Sequence, residues 1–265
     1  MTHPAYGEVR AVTPFAAVLL EDNPGVMSLE GTNTWLLRAP GAEDCVVVDP
    51  GEQDEPHLRR VLAAAGRVAA ILLTHHHHDH VQGAPWLAEA ADAPIRAFDP
   101  ALCSAGGPGP LRDGEVVAAA GLELLVRHTP GHTADSICLT AEHDGRTAVL
   151  TGDTVLGRGT TVIAPPDGRL GQYLDSLRLL AEAEPRTVVL PGHGPDLPDL
   201  RETAAGYLAH RHQRLDQIRT ALARLGADAT ARQVVELVYA DVDRSLWEAA
   251  EWSVRAQLDY LRESV

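Results

Sequence analysis

Residues 74–80 read Thr74-His-His-His-His-Asp-His80 and directly follow an apolar run that is typical of a buried strand. Alternate residues of an extended segment point the same way, so His75 and His77 can hold one metal ion. Asp79 and His80 lie beyond the expected bend and can hold a second ion. Imidazole nitrogens with a carboxylate oxygen suit zinc, with iron or manganese as alternatives. Because the tract is internal, we do not interpret it as a purification tag.

This tract supplies too few ligands to complete two metal sites, so further ligands are expected along the chain. Three loops offer them, each after a predicted strand: Thr-Pro-Gly-His-Thr with His132, Thr-Gly-Asp with Asp153, and Leu-Pro-Gly-His-Gly with His193. Gly and Pro beside each candidate let the backbone turn tightly around a crowded centre. One such loop is a weak signal, but all three in order after strands indicate a metal site.

The first 200 residues alternate β-branched apolar runs with stretches of helical spacing. This alternation predicts an α/β domain with two sheets and helices outside them. The predicted strands are Cys45–Val48, Val68–Leu73, Leu122–Val126, Thr147–Leu150 and Thr187–Leu190, the predicted helices are Glu55–Ala65, Ala84–Ala91 and Gly171–Ala183, and a loop is expected over Asp99–Asp113.

After Leu200 the pattern becomes helical. It predicts a long amphipathic helix over Arg201–Leu225 with Gly226 as its C-cap, then a helix with Thr230 as N-cap, and a third over Arg244–Arg262. We therefore predict a catalytic domain over residues 1–200 and a C-terminal helical module over residues 201–265.

Composition and net charge limit the cellular compartments and binding partners that we expect. The net charge of −15 disfavours nucleic acid as a partner, because neutralising phosphates supplies most of the affinity of nucleic-acid-binding proteins. No apolar run approaches the roughly 20 residues that span a bilayer, and residues 1–10 lack the features of a signal peptide. Three cysteines without C-x-x-C spacing suit a reducing compartment. We expect a cytoplasmic protein without a membrane partner.

The ordered set of His75, His77, Asp79 and His80, followed by His132, Asp153 and His193, resembles the metallo-β-lactamase superfamily. The resemblance implies an αββα sandwich with its site at one sheet edge. It also implies a first ion on His75, His77 and His132, a second on Asp79, His80 and His193, and Asp153 bridging both. Asp79 would be the catalytic residue that orients hydroxide and shuttles its proton.

Further stretches are similar to a β-lactamase-like group within this superfamily, which includes a mitochondrial endoribonuclease and fungal polyketide thioesterases. They are Gly31–Leu36, Val46–Gly51, Tyr173–Leu177 and Tyr207–Arg211. The C-terminal helices resemble that group's winged helix, truncated before a β-wing. Gln82–Gly83 departs from the usual Gly-Gly, which predicts a Gln side chain near the pocket.

Two divalent ions bridged by solvent make hydroxide available at neutral pH, since zinc lowers the pKa of bound water from about 16 to roughly 7. We therefore expect a binuclear metal-dependent hydrolase acting on a small or carrier-bound ester or thioester, favoured by the acidic charge and the missing wing. Cleavage of single-stranded RNA and a non-catalytic metal-binding module stay open as alternatives.

Several other residues carry weaker expectations. Asp49, after a strand, is either a partner of a ligand imidazole or a turn former. His76 and His78 should point away from the ligands. Tyr173 is expected to be buried, and Arg211 to make an interdomain contact. The remaining expectations concern histidines at the surface, namely His3, His57, His143 and His212.

Overall fold

The computed structural model describes residues 5–263, with the side chain at position 245 excepted. The histidine tract lies where an internal strand leaves the first of two sheets. That sheet has six strands in the order β1-β2-β3-β4-β5-β6, antiparallel from β1 to β4 and parallel from β4 to β6. The strands are β1 (Val9–Thr13), β2 (Ala16–Leu20), β3 (Asn33–Leu37), β4 (Asp44–Val48), β5 (Arg67–Leu72) and β6 (Ile95–Arg96).

The second sheet delivers the other candidate ligands. Its five strands follow the order β11-β10-β9-β8-β7, and all neighbours are antiparallel except the parallel pair β10 and β11. The strands are β7 (Val116–Ala119), β8 (Leu122–His128), β9 (Ile137–His143), β10 (Arg146–Gly152) and β11 (Val188–Pro191).

The described part of the chain contains seven α-helices beside the sheets. They are α1 (Glu55–Ala65), α2 (His78–Val81), α3 (Ala84–Ala91), α4 (Leu170–Leu180), α5 (Leu200–Leu225), α6 (Ala231–Val238) and α7 (Trp247–Glu263). Short 3-10 turns occupy Pro100–Leu102 and Arg244–Leu246. Among the helices of residues 5–263, none is both long enough and apolar enough to cross a membrane.

Buried apolar side chains form layers that hold these elements together. Between the sheets, Trp35 and Leu72 of the first sheet pack in one cluster with Leu124 of the second. Outside the first sheet, Leu58 of α1 packs with Ile71 and neighbouring side chains. Outside the second sheet, α4 and the first part of α5 pack against β9, β10 and β11. The predicted αββα sandwich is confirmed.

The C-terminal helices form a further small core. Ile218 on the second half of α5 packs with Val234 and Val235 of α6 and with Trp247 and Val254 of α7. Thr230 is the N-cap of α6, as predicted, and Gln233 completes a capping box with it. Because α5 contributes to this core and to the layer on the second sheet, the division at residue 200 stays a prediction.

Most predicted elements appear within a few residues of their expected bounds. Helices α1 and α3 begin and end where their spacing indicated. The sequence did not predict β1, β2, β3, β6, β7 or β9, and the third C-terminal helix begins at Trp247 rather than Arg244. Residues 244–246 form a 3-10 turn instead, which tightens the helix start.

Candidate metal centre

The ends of four strands bring the candidate ligands to one edge of the sandwich. His75 and His77 follow β5, His132 follows β8, Asp153 follows β10 and His193 follows β11. Asp79 and His80 lie on the single turn of α2. Backbone hydrogen bonds fasten these loops together: Ile137 N donates to Thr74 O at 2.9 Å, and Gly192 N donates to Gly152 O at 2.8 Å. Strands of both sheets therefore converge on one centre.

All seven predicted ligands lie in two adjoining groups. In each group, the potential ligand atoms are within 4.8 Å of one another. Asp153 faces both: its Oδ2 lies 3.6 Å from His132 Nε2 and 3.5 Å from His193 Nε2, and its Oδ1 lies 3.5 Å from His80 Nε2. The first group is His75, His77, His132 and Asp153, and the second is Asp79, His80 and His193.

Hydrogen bonds on the outer side of the imidazoles determine which nitrogen faces the centre. His80 Nδ1 lies 2.9 Å from Asp49 Oδ2, His132 Nδ1 lies 2.8 Å from Val162 O, and His193 Nδ1 lies 3.1 Å from Gly31 O. An oxygen acceptor requires the proton on Nδ1, which leaves the lone pair of Nε2 directed inward. Metal-binding imidazoles are held in this way.

Asp49 connects the two groups from behind. It is buried, and it accepts hydrogen bonds from Thr74 N at 2.8 Å and Thr74 Oγ1 at 2.7 Å as well as from His80. Since Thr74 Oγ1 donates to Asp49, it is free to accept from His75 Nδ1, 3.1 Å away. Asp49 therefore contacts the imidazole of a candidate ligand, which is one of the two roles that the sequence left open.

The pKa values of the residues in the first group favour the binding of a cation. Burial lowers the pKa of His77 to about 4, and it lowers the pKa values of His75 and His132 too. Burial acts to raise the pKa of Asp153, but His193 and His80 outweigh it and hold that pKa well below its usual range. At neutral pH the group therefore offers neutral imidazoles and an ionised carboxylate, the forms that bind metals.

In the second group, the Asp153 carboxylate favours the protonated form of the imidazoles. Burial acts to lower the pKa values of His80 and His193, but the Asp153 carboxylate raises both. Burial would raise the pKa of Asp79, but the hydrogen bond from His193 and the charge of His80 lower it to about 2. Metal binding there is expected to release protons.

Unpartnered polar atoms show that the donor set fits divalent ions. Among the described residues, His75 Nε2 and Asp153 Oδ1 are buried without a hydrogen-bond partner, which costs free energy unless a cation is present. Imidazole nitrogens also face each other, at 3.0 Å between His77 Nδ1 and His132 Nε2 and at 3.2 Å between His80 Nε2 and His193 Nε2. Nitrogens and carboxylate oxygens around one point are the chemistry of a zinc, iron or manganese site.

Gly192 shows why the ligand loops require glycine. A Cβ at this position would lie 2.6 Å from Asp153 Oδ1 and 2.7 Å from His80 Cε1. Any side chain would therefore displace two candidate ligands. The glycine in the Pro-Gly-His sequence lets β11 end directly against the centre.

A chamber of about 510 Å³ opens beside the ligands and was not foreseen from the sequence. His77, Asp79, His132 and Asp153 form one side of it. The other walls are mostly apolar and come from distant parts of the chain, which no local motif connects: Val26, Met27, Leu29, Leu156, Val162, Ala164, Leu246, Ala249 and Trp252.

The histidines between the ligands line this chamber. His76 Nδ1 lies 2.8 Å from Asp135 Oδ1, outside the ligand groups as predicted, whereas His78 has an exposed side chain whose Nδ1 lies 3.9 Å from Asp79 Oδ1. Gln82 is exposed at the end of α2, and the described residues that line the chamber do not include it.

Other expectations have mixed outcomes. Tyr173 is buried and donates to Thr154 O at 2.8 Å, and Arg211 on α5 donates to Thr161 O, both as predicted. His57 was predicted at the surface, and that prediction is wrong. It is 1% exposed, within 2.9 Å of Thr34 Oγ1, and burial lowers its pKa to about 4. His3 lies outside the described residues.

Comparison with known sequences agrees with this geometry. The profile of the metallo-β-lactamase superfamily matches residues 27–193, and that of the β-lactamase associated winged helix domain matches residues 230–264. The chain belongs to the metallo-β-lactamase superfamily and carries its associated winged helix domain.

Similar proteins come from animals, fungi and bacteria. A β-lactamase-like protein 2 homolog of Drosophila melanogaster is 32% identical over 96% of this chain and 90% of its own length. A lactamase-like protein of Penicillium aethiopicum, vrtG, is 33% identical over 93% of this chain and 80% of its own length.

Two solved structures show the same arrangement of elements. A β-lactamase domain protein from Burkholderia ambifaria superposes with a TM-score of 0.82 at 25% identity, covering 99% of this chain and 90% of that one. A second structure, that of TTHA1623 in a di-iron-bound form, has a TM-score of 0.52 at 28% identity and covers 75% of this chain and 97% of that one.

Proposed function

We propose that this chain is a binuclear metal-dependent hydrolase whose substrate is a small or carrier-bound ester or thioester. The observation that carries the proposal is the grouping of the seven candidate ligands beside a mostly apolar chamber, one side of which is formed by four of them. Divalent ions bound there would supply Lewis-acid activation of water and of an acyl oxygen at neutral pH. Zinc suits the donor set, and the di-iron-bound relative supports iron as an alternative.

The residues of the chain have distinct roles in this proposal. His75, His77 and His132 would hold one ion and Asp79, His80 and His193 the other, with Asp153 between them. Asp79 is ionised at neutral pH because its pKa is about 2, and its side chain is 13% exposed toward the chamber. It can therefore accept a hydrogen bond from the attacking water and orient it, although its low pKa makes it a weak base.

The charges around the chamber favour an acyl substrate over RNA. Among the described residues that line it, Arg158 is the single Arg or Lys, and its guanidinium is paired with Glu30. His76 and the carboxylates of Asp167 and Asp79 stand at the same opening. RNA binding requires cations that neutralise phosphates, and the net charge of −15 adds repulsion at longer range.

The test compares kcat/KM for an acyl thioester and for a short single-stranded RNA, with metal-replete protein at low and at physiological salt. We expect thioester hydrolysis with little dependence on salt and a lower kcat/KM for RNA. A preference for RNA that weakens steeply with salt would favour the endoribonuclease instead. Tight metal binding with turnover of neither substrate would favour the non-catalytic metal-binding module.

Two variants test whether the assigned metal centre carries the reaction. Asp153→Ala removes the carboxylate that faces both ligand groups and should abolish turnover, while the strands on either side keep the fold. His212→Ala changes an exposed histidine on α5 and should leave kcat/KM unchanged. Near-parental turnover by Asp153→Ala would show that the assigned centre does not carry the reaction.

A further inference from the structure

Part of the apolar wall of the chamber belongs to the C-terminal module. It is formed by Leu246, Ala249 and Trp252, which follow one another at intervals of three residues. Ala249 and Trp252 lie in the first turns of α7, and Leu246 ends the 3-10 turn before it. Residues three apart share one helix face, so these side chains present one apolar surface to the chamber.

This surface is separate from the core that holds the module together. Trp247, Val254 and Leu258 of the same helix pack into the core formed with α5 and α6. The face with Leu246, Ala249 and Trp252 is directed to the chamber instead. An aromatic side chain and a leucine facing an open cavity are available to bind an apolar group.

The loop before β3 contributes another apolar part of the lining, the rim formed by Val26 and Met27. Val26 is 60% exposed, Met27 is 46% exposed, and Leu246 of the wall is 39% exposed. Large apolar side chains that cluster at the mouth of a cavity, rather than being scattered, mark a binding surface. A long apolar ligand could therefore extend from the ligand groups between this rim and Trp252.

We propose that the face formed by Leu246, Ala249 and Trp252 is a specificity wall, which selects substrates with an apolar acyl chain. This inference rests on the proposed acyl hydrolysis for its catalytic test, but the binding surface exists independently of turnover. Arg158 is already paired with Glu30, so the wall suits an uncharged chain better than one that ends in a carboxylate or phosphate. Trp252 and Leu246 determine specificity and take no part in the chemical step.

The first experiment measures kcat/KM for a series of straight-chain acyl thioesters from acetyl to octanoyl. In the parent protein kcat/KM should rise with chain length, by up to about fourfold for each added CH₂ group that the chamber buries. Trp252→Ala and Leu246→Ala should flatten this rise, so that the loss is at least about tenfold larger for octanoyl than for acetyl. Trp252→Phe keeps an apolar ring and should retain most of the rise.

Leu225→Ala is the matched control. Leu225 is 42% exposed at the end of α5, close to the 39% exposure of Leu246, and it stands outside the residues that line the chamber. The kcat/KM of this variant should equal that of the parent protein for every thioester in the series. If the rise in kcat/KM is the same in the parent, Trp252→Ala and Leu246→Ala, the specificity wall is wrong even though the hydrolase proposal holds.

The second experiment separates the two proposals by measuring binding alone. An uncharged octyl thioether that cannot be hydrolysed is titrated calorimetrically into metal-replete parent protein and the same variants. Tight binding that weakens at least about tenfold in Trp252→Ala and Leu246→Ala, but not in Leu225→Ala, supports the wall even if no thioester is hydrolysed. If the parent and all the variants bind the thioether equally, or if the parent does not bind it, the proposed specificity wall is overturned.

Discussion

Asp49→Asn should weaken metal binding although Asp49 is not itself a candidate ligand. The buried carboxylate accepts from His80 Nδ1 at 2.9 Å and, through Thr74 Oγ1, is linked to His75 Nδ1. It thereby orients one imidazole in each ligand group. Asparagine preserves the shape and tolerates the left-handed backbone at this position, where φ is 52°. The substitution therefore changes the hydrogen bonds with little strain.

The size of the effect follows from the number of donors. Three donors from Thr74 and His80 share the two oxygens of Asp49, whereas an amide offers one oxygen acceptor and an NH₂ group that only donates. In either orientation, at least one buried donor faces another donor, which costs about 1–3 kcal/mol of unfolding free energy. Loss of such an outer partner weakens metal affinity by about 10- to 100-fold, or about 1.4–2.8 kcal/mol.

The assay is competition for the metal between the protein and a chelator of known affinity. Asp144→Asn is the matched control, since Asp144 also has a left-handed backbone and its side chain is 89% exposed. Its affinity should equal that of the parent protein. If Asp49→Asn binds both ions as tightly as the parent, Asp49 does not position the imidazoles, and this reasoning is refuted.

Two further substitutions test the surroundings of the centre. His57 is protonated more readily in the unfolded chain, with an ordinary pKa of 6.5, than in the folded protein, where burial lowers the pKa to about 4. The stability that neutral His57 contributes is present above pH 6.5 and is lost as the pH falls toward 4, at a cost of about 3 kcal/mol relative to His57→Gln. Denaturant unfolding at pH 4, 5, 6 and 7 checks this, and identical pH profiles would contradict it. Gly192→Ala places a methyl group within 2.7 Å of two candidate ligands and should lower metal affinity at least about tenfold. Gly206→Ala, in an open part of α5, should keep parental affinity and gain about 0.5–1 kcal/mol of stability, and equal affinities in the two alanine variants would show that Gly192 is not required.

Local patterns in the sequence predicted the candidate ligands and the layered fold. The His75–His80 tract carries its own spacing, and His132, Asp153 and His193 each follow a strand that its apolar residues identify. Clustered His and Asp residues after strands indicate a metal site, and the resemblance to the metallo-β-lactamase superfamily implied how the seven residues divide between two ions.

Features that depend on packing were predicted less well. His57 occupies the same helix face as Val61 and Ala65, four and eight residues further on, although it was predicted at the surface. The contact with Thr34 of β3, which satisfies that ring, is a tertiary contact that the local pattern does not contain. The chamber wall at Trp252 was not predicted either, because it depends on how α7 packs against the sandwich and not on a local sequence pattern.

The most direct test of the central claim is the number of metal ions that each chain binds. Protein saturated with zinc, and in parallel with iron, is freed of excess metal and measured by elemental analysis against its concentration. Two ligand groups that share Asp153 predict two divalent ions per chain, and Asp153→Ala should retain fewer. At most one ion per chain under metal-replete conditions would contradict the binuclear centre.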